Sequence, residues 1–379
     1  MKIIPYGKQF IDNNDIKAVT GALKLDKITT GKFVEKFEKK INEFLKCKYS
    51  ATCNSGTSAL FLALVAVNIK KNDIIIMPSI NFIASYNISA LLGAKIYLAD
   101  VNRQTGQMTL ENIIECCKKY KIKKVKAIIT MYNGGNPQNA DLFCKLKKKF
   151  GCLIIEDACH ALGAEYQVGK KIFKIGSCKH ADISTFSLHP VKTITTGEGG
   201  IVTTNSKKLY EKIKKIRSLG IKKNNNFHWK YDVVSKGFNF RLTDFQCALG
   251  ISQLKKIKSF ITSRSIIAKR YTSKLSKCSQ ISLPNYNKRY KSSHHLYLIH
   301  LKKENLKLKQ KLIEFMLKNN IILQYHYIPV YKFKVFKGLY IGTEAERYFK
   351  TAISLPIYYG LTLKEQNFII KKLNFFFNN

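Results

Sequence analysis

The stretch STFSLHPVKTITTGEGG, residues 184–200, holds one lysine in unusual surroundings. Lys192 follows an apolar run and precedes a glycine cluster, and its nearest charged neighbour in the sequence is Glu198. An amine held among apolar groups loses hydration of its charged form, so its pKa falls. A neutral amine is a nucleophile that forms a Schiff base with an aldehyde. For this motif alone, a solvated lysine in a surface loop is the alternative.

Residues 54–60, NSGTSAL, predict a glycine turn that opens an apolar helix. The first turn of such a helix presents free backbone N–H groups and the positive end of the helix dipole, which suits a phosphate. The candidate contacts are Ser55, Gly56 and Thr57, and Ser187, at the end of a predicted strand, is a second phosphate contact. A residue that merely caps the helix explains the first motif equally well.

In CLIIEDACHALGA, residues 152–164, Asp157 directly follows a strand of the buried type. A carboxylate is costly there unless it has a partner, such as a protonated ring nitrogen or a metal ion. His160 follows on the same segment and is a candidate cofactor contact. The alternatives are an acid that caps the next segment and a histidine that is simply polar surface at the edge of a sheet.

A fourth motif is KGFNFRLTDFQCALG, residues 236–250, where Asn239 and Arg241 interrupt an aromatic run. These two side chains suit an anionic ligand, or they cap the following helix and form salt bridges.

Taken together, the phosphate cradle, the ring-nitrogen acid, the lysine and the second phosphate donor match the requirements of pyridoxal phosphate. The lysine would bind the aldehyde of that cofactor and later move a proton. The cysteine spacing predicts no metal site.

These side chains can form one site only if the fold brings them to the same edge of a sheet. Between residues 50 and 205, short apolar runs alternate with helical stretches. Strands that are apolar on both faces and alternate with helices are typical of a largely parallel sheet with helices on both sides. Ligands then bind at the carboxyl ends of the strands. The predicted strands are DIIIMPS, AKIYLAD, VKAIITM, CLIIEDA, ADISTFS and GIVTTN.

The pattern changes after residue 205. A basic helix at about 207–219 leads to a second helical pattern, and long polar helices then alternate with the strand-like HHLYLIHL. We therefore predict a large α/β domain over residues 1–250 and a smaller α+β domain over residues 251–379.

The formal charge of +42 comes from lysines spread over every part of the 379 residues. A nucleic-acid-binding protein is one explanation, yet no segment combines dense basic residues with the aromatic residues that stack on bases. Dispersed lysines instead favour the solvated faces of amphipathic helices, so no nucleic-acid partner is predicted. Without an eighteen-residue apolar stretch or a signal-type start, the sequence also predicts no membrane partner and a cytoplasmic location. The ten cysteines include no C-x-x-C pair, and a disulfide framework is not expected.

Nearly the whole chain resembles the DegT-type sugar aminotransferases, pyridoxal-phosphate enzymes with the aspartate aminotransferase fold. The resemblance is carried, in order, by SGTSAL, EDACHALGA, FSLHPVKTITTGEGG and NFRLTDFQCALGISQL. The segments KSSHHLYLI and ILQYHYIPVYKFKVFKGL are similar to those of the branch that serves pseudaminic acid biosynthesis. Members that act as dehydratases have histidine in place of the lysine, and Lys192 therefore favours amino transfer.

The resemblance also implies a role for each matching residue. Lys192 would form the Schiff base, Asp157 would bind the pyridine nitrogen, His160 would neighbour the ring hydroxyl and Phe82 would stack on the ring. Gly56, Thr57 and Ser187 would hold the phosphate. Asn239 would reach the phosphate from the other subunit, which implies a homodimer with shared active sites. The weaker candidates for the sugar-nucleotide region are Thr30, Arg241, Tyr325 and His326.

The implied reaction moves the amino group of L-glutamate, which leaves as 2-oxoglutarate, to C4 of a UDP-4-keto-6-deoxy-N-acetylhexosamine. Its product would be UDP-4-amino-4,6-dideoxy-N-acetyl-β-L-altrosamine. A sibling enzyme that uses another nucleotide ketosugar, of the perosamine type or with a 3-keto group, is the alternative within the family.

Overall fold

The computed structural model describes residues 2–223, 227 and 229–378. The strands are β1 (Tyr49–Cys53), β2 (Ile74–Pro78), β3 (Lys95–Ala99), β4 (Ala127–Met131), β5 (Leu153–Asp157), β6 (Glu165–Val168), β7 (Lys171–Lys174), β8 (Ile183–Ser187), β9 (Gly200–Thr204), β10 (Ile221–Lys223), β11 (Tyr231–Val233), β12 (Ile281–Ser282), β13 (Tyr290–Lys291), β14 (Tyr297–Leu301), β15 (Leu339–Tyr340) and β16 (Ala352–Leu355).

The helices are α1 (Asn13–Leu23), α2 (Lys32–Leu45), α3 (Gly56–Ala66), α4 (Ile83–Leu91), α5 (Leu110–Lys119), α6 (Lys145–Phe150), α7 (Lys207–Arg217), α8 (Asp244–Leu275), α9 (Leu306–Lys318), α10 (Thr343–Thr351) and α11 (Leu363–Asn378). Short 3₁₀ turns lie at Asn133–Gly135 and Val330–Lys332. In the part of the chain that the structure describes, none of these helices has the length and apolar character needed to span a lipid bilayer.

A central sheet of eight strands has the order β1-β9-β8-β5-β4-β2-β3-β15. Its neighbouring strands are parallel, except that β9 is antiparallel to both β1 and β8. Every residue of β4 is buried, as expected for a strand that is covered on both faces. The predicted mostly parallel α/β sheet is therefore confirmed.

Helices cover both faces of this sheet. On one face, α3 contributes Leu62 and Ala63 to an apolar cluster with Ile75 and Ile129 of the strands. On the other face, α2 and α8 pack around Phe186 of β8. With both faces buried, the edge formed by the carboxyl ends of the parallel strands is the place left for a ligand.

The strand register brings the predicted site residues to that edge. Asp157 pairs with Met131 on one side and with Thr185 on the other. Ser187 and Cys53 both pair with Gly200, and α3 begins shortly after Cys53. The ends of β5 and β8 and the start of α3 consequently lie side by side.

The carboxyl-terminal part of the chain has its own core. Strands β12, β14 and β16 form an antiparallel sheet with β14 in the middle, and apolar residues of α8, α9 and α11 pack on it. Strand β14 and helix α7 confirm the predictions of a strand in HHLYLIHL and of a helix after residue 205. The predicted boundary between residues 250 and 251 falls inside α8, one continuous helix of 32 residues. The division into two domains stays a prediction.

Candidate active site

Lys192 lies in a closed turn between β8 and β9. The backbone N–H of Lys192 donates to the carbonyl of His189 at 2.9 Å. Around this turn, the N–H of Leu188 donates to the carbonyl of Gly199 at 2.8 Å, and the Thr195 hydroxyl donates to the carbonyl of Leu188 at 2.8 Å. These bonds fix the base of the turn, so the position of the lysine does not depend on its own side chain.

The amine of Lys192 faces a group of buried polar side chains. Burial lowers the pKa of Lys192 from its ordinary value, while the charges of Cys159 and Asp157 act in the opposite direction. Among the described residues, no hydrogen bond or ion pair engages its Nζ atom. This lysine therefore combines an available amine with an environment that favours the neutral form.

Asp157 is the last residue of β5 and is 4% exposed. The Ser85 hydroxyl donates to its Oδ2 atom at 3.0 Å, and the N–H of Cys159 donates to its Oδ1 atom at 3.3 Å. None of the ion pairs found among the described residues involves this carboxylate. A buried carboxylate with neutral donors and no cation is suited to a ligand that brings a positive charge.

The start of α3 forms the third part of the site. Ser55 caps the helix, because its hydroxyl accepts the N–H of Ser58 at 3.0 Å. Both explanations of this motif are compatible, since the cap leaves the first-turn N–H groups of Gly56 and Thr57 without carbonyl partners in the helix. A Cβ atom on Gly56 would lie 2.8 Å from the Cβ of Ser187. Glycine thus allows β8 to approach the helix end closely.

A group of histidines and a tyrosine closes the opposite side. The Nε2 atom of His160 lies 2.8 Å from the Tyr327 hydroxyl, and the His160 ring lies 4.1 Å from the ring of His295. Burial lowers the pKa of His160 well below its ordinary value, and the charges of Lys192 and His326 lower it further. Burial also lowers the pKa of His326 to about 3. Burial lowers the pKa of His295 as well. The rings of His160, His295 and His326 are therefore neutral near pH 7.

One cavity of about 490 Å³ joins these groups. The predicted residues that line it are Lys192, Asp157, His160, Ser187, Ser55, Gly56, Thr57, Phe82, Tyr325 and His326. Phe82 is 53% exposed at the wall of the cavity, and its ring lies 5.9 Å from that of Tyr327. Three predicted residues do not line it: Thr30, Asn239 and Arg241.

Several lining residues escaped the sequence reasoning, among them Tyr6, Cys159, His189, Glu198, His295 and Tyr327. His295 and Tyr327 lie in segments that had been singled out as wholes, KSSHHLYLI and QYHYIP. Nothing in their local spacing distinguishes them from neighbouring polar residues. Tyr6 belongs to none of the motifs. It comes from the segment before the first helix, which the sequence analysis did not connect with the site.

The residues present fit a ligand with an anionic tail, a basic ring nitrogen and an aldehyde. The glycine at the start of α3 keeps the space for the tail open, Asp157 lacks a cation, and Lys192 offers an amine. Pyridoxal phosphate combines these three groups in one molecule. Among the described residues, no cluster of three or more His, Cys, Asp or Glu side chains is arranged to hold a metal ion.

Sequence and structure comparisons agree with this geometry. They define the class of protein, an aminotransferase. The chain belongs to the DegT/DnrJ/EryC1/StrS aminotransferase family, which it matches over residues 9–374. It is 39% identical to the UDP-4-amino-4,6-dideoxy-N-acetyl-beta-L-altrosamine transaminase of Campylobacter jejuni serotype O:23/36, over 97% of this chain and 96% of that protein.

Solved structures give the same result. The chain superimposes on Helicobacter pylori PseC, an aminotransferase involved in the biosynthesis of pseudoaminic acid, with a TM-score of 0.91 and 32% identity over 100% of both chains. It also matches the pyridoxal-phosphate form of the putative sugar aminotransferase Spr1654 from Streptococcus pneumoniae, with a TM-score of 0.89 and 25% identity over 99% of both chains. The predicted family, fold class, aminotransferase activity and cofactor, pyridoxal phosphate, are confirmed.

Proposed function

We propose that the protein transfers the amino group of L-glutamate to C4 of a UDP-4-keto-6-deoxy-N-acetylhexosamine. The product is UDP-4-amino-4,6-dideoxy-N-acetyl-β-L-altrosamine, for pseudaminic acid biosynthesis in the cytoplasm. The observation that carries the proposal is the single cavity shared by Lys192, Asp157 and the start of α3. The Campylobacter relative, which is named for this product, supports the choice of sugar.

The roles of the residues follow from their positions. The first-turn N–H groups of Gly56 and Thr57, with the hydroxyl of Ser187, would hold the phosphate of the cofactor. Asp157 would bind the protonated pyridine nitrogen, with His160 beside the ring hydroxyl. Phe82 would pack on the face of the ring. When bound, pyridoxal phosphate withdraws electrons from the reacting substrate carbon and carries the amino group between the two substrates.

Lys192 has two tasks in this proposal. Its neutral Nζ atom would hold the aldehyde group of the cofactor. The same atom would be the base that takes the proton from Cα of glutamate, and it would return a proton to C4 of the sugar. The lowered pKa of Lys192 supports both tasks, because a neutral amine can accept a proton and return it.

We further propose a homodimer with shared active sites. Among the described residues that line the cavity of one chain there is one lysine and no arginine, although the phosphate, the donor carboxylates and the nucleotide diphosphate are all anionic. Asn239 of the second subunit then reaches the phosphate. Tyr325 and His326 are candidate contacts of the sugar nucleotide. Arg241 and Thr30, which do not line the cavity of their own chain, are further candidates for that region.

Co-expression of two inactive variants tests the shared site. In a mixed dimer of Lys192→Ala and Asn239→Ala chains, one site has both residues intact and the other has neither. Half of randomly formed dimers are mixed, so we expect about a quarter of the wild-type activity. Separately purified variants that are mixed without subunit exchange are the control. Activity no higher than that of the two variants alone would show that each site takes both residues from one chain.

Gly56→Ala tests the phosphate cradle. The added methyl group would lie 2.8 Å from the Cβ of Ser187, which separates the helix end from β8. We expect pyridoxal phosphate to bind about tenfold more weakly, because bonds to a charged phosphate are lost. Titration of the apoprotein with the cofactor measures this. Gly21→Ala is the matched control, since a Cβ at Gly21 meets no atom within 4 Å. Equal affinities of the two variants for pyridoxal phosphate would show that the helix start at Gly56 does not bind the phosphate.

The proposed reaction is tested by supplying the purified holoenzyme with L-glutamate and different ketosugars. We expect stoichiometric release of 2-oxoglutarate and formation of the 4-amino sugar with the UDP-4-keto-6-deoxy-N-acetylhexosamine. Turnover with only a GDP-linked or dTDP-linked ketosugar would replace the proposed substrate by that of a sibling enzyme. The amino transfer itself would then still stand.

A further inference from the structure

A buried lysine outside the cavity has no acidic partner. Lys309 of α9 is 1% exposed. Its ammonium group donates to the carbonyl of Phe349, near the end of α10, at 2.5 Å. None of the ion pairs among the described residues includes Lys309. A buried lysine without a carboxylate is rare, because burial disfavours its charge.

Two aromatic rings surround this amine instead. Its Nζ atom lies 3.9 Å from the ring centroid of Tyr325 and 5.0 Å from that of Phe349. The two rings are 5.8 Å apart. A cation over the face of an aromatic ring is attracted by its quadrupole, and more strongly when it is shielded from water. The charged form of Lys309 thus holds the ring of Tyr325.

Tyr325 belongs to the segment 324–327, all of which lines the candidate active site. The backbone of this segment is fixed, since Gln324 and Ser354 exchange two hydrogen bonds at 3.3 and 3.0 Å. The carbonyl of His326 also accepts the Tyr348 hydroxyl at 2.6 Å. The side chain of Tyr325 is held differently, by the rings and the amine described above. A change at Lys309 therefore acts on one wall of the cavity without altering the backbone.

We propose that Lys309 is a positioning residue that holds Tyr325 at the cavity wall and makes the affinity for the acceptor sugar depend on pH. The inference rests on the proposed function, in which Tyr325 lies beside the sugar nucleotide.

The direction of the pH effect follows from burial, which lowers the pKa of Lys309 to about 7. Below that pH the amine is charged and attracts the Tyr325 ring, and above it the attraction weakens. Four other charged or titratable groups lie near Lys309 or the two rings. His300 of β14 has a pKa lowered to about 4 by burial, and Lys332, 5.5 Å from the Phe349 ring, is paired with Glu346 at 2.8 Å. Burial raises the pKa of Tyr325, and the charge of Glu314, an exposed residue of α9, raises it further.

Steady-state kinetics of the holoenzyme test the proposal. With saturating glutamate, we expect the KM of the wild type for the UDP-ketosugar to rise about fivefold between pH 6 and pH 8.5, in line with the strength of a shielded cation–π contact. Lys309→Met keeps the length of the side chain but cannot be charged. Its KM should already be high at pH 6 and follow a flatter profile, with kcat changed by less than about twofold. Lys311→Met, on the exposed side of the same helix, should retain the wild-type profile.

A KM profile of Lys309→Met that matches the wild type would overturn the proposal. If Lys309→Met does not fold, the KM profile of Tyr325→Leu tests the proposal instead, because this variant lacks the ring but keeps the lysine. A flattened profile supports the proposal, and an unchanged one refutes it. The release of 2-oxoglutarate in the half-reaction with glutamate does not involve the sugar. Its absence from the wild type would refute the proposed function rather than the role of Lys309.

Discussion

Lys192→Ala should lower the rate of amino transfer by at least about 10³-fold, since one atom is lost that both binds the cofactor and moves the proton. The loss of the lysine should also be visible in the absorbance spectrum of the purified protein. Wild-type holoenzyme should have the visible absorbance band of the lysine-bound cofactor, and this band should change on addition of glutamate. The variant should lack a lysine-linked band even when excess pyridoxal phosphate is present, while the circular dichroism of the two proteins stays the same.

Lys171→Ala provides the control for this variant, because Lys171 is an exposed lysine of β7 outside the cavity. It should retain the band and the wild-type rate. A Lys192→Ala protein with normal turnover would refute the assignment of the lysine. Partial rescue by a small added amine would support it, since the amine can replace the missing proton acceptor but not the covalent anchor.

Asp157→Asn should reduce turnover by about 10²-fold and leave part of the cofactor affinity intact. The amide has nearly the same shape. Its oxygen can keep the bond from the N–H of Cys159, and its NH2 group can donate to the Ser85 hydroxyl, which reverses that bond. It has no charge, however, and therefore cannot keep the pyridine nitrogen protonated. Single-turnover measurements with glutamate separate this loss in the chemical step from a loss in binding.

Asp182→Asn is the matched control. Asp182 precedes β8 at the opposite edge of the sheet and pairs with Lys147 at 2.6 Å. Its substitution should affect thermal stability, with little change in the rate of the chemical step. If Asp157→Asn had undiminished kinetics, or if the two variants were equally impaired, the carboxylate at the end of β5 would have no special role.

The residues at the ends of the parallel strands were predictable, and the reason is geometric. Buried strands appear as apolar runs, and parallel strands end at the same edge. The positions of Asp157, Ser187 and the start of α3 could therefore be inferred from three separate motifs. The antiparallel direction of β9 was not predicted, because an apolar run marks a strand but does not show its direction.

The other wall of the cavity was less accessible to sequence reasoning. Tyr327 contacts His160 across 167 positions of the chain, and His295 lies just before β14, a strand of a different sheet. No periodicity connects residues that are so far apart. The continuous length of α8 was equally hidden, since no break in the sequence pattern marks where this helix begins and ends around the predicted boundary at residue 250.

The hydrogen bonds of the His326 carbonyl limit how the sugar specificity of the enzyme can be changed. It accepts hydrogen bonds from Asn133 at 3.4 Å and from Tyr348 at 2.6 Å. One donor follows the central sheet and the other belongs to α10, so the main chain of this wall is anchored from two directions. Attempts to broaden the range of accepted sugars would therefore gain little from loop grafts or insertions here. They should instead vary the side chain at position 325, which lines the cavity, while the anchored backbone keeps its path.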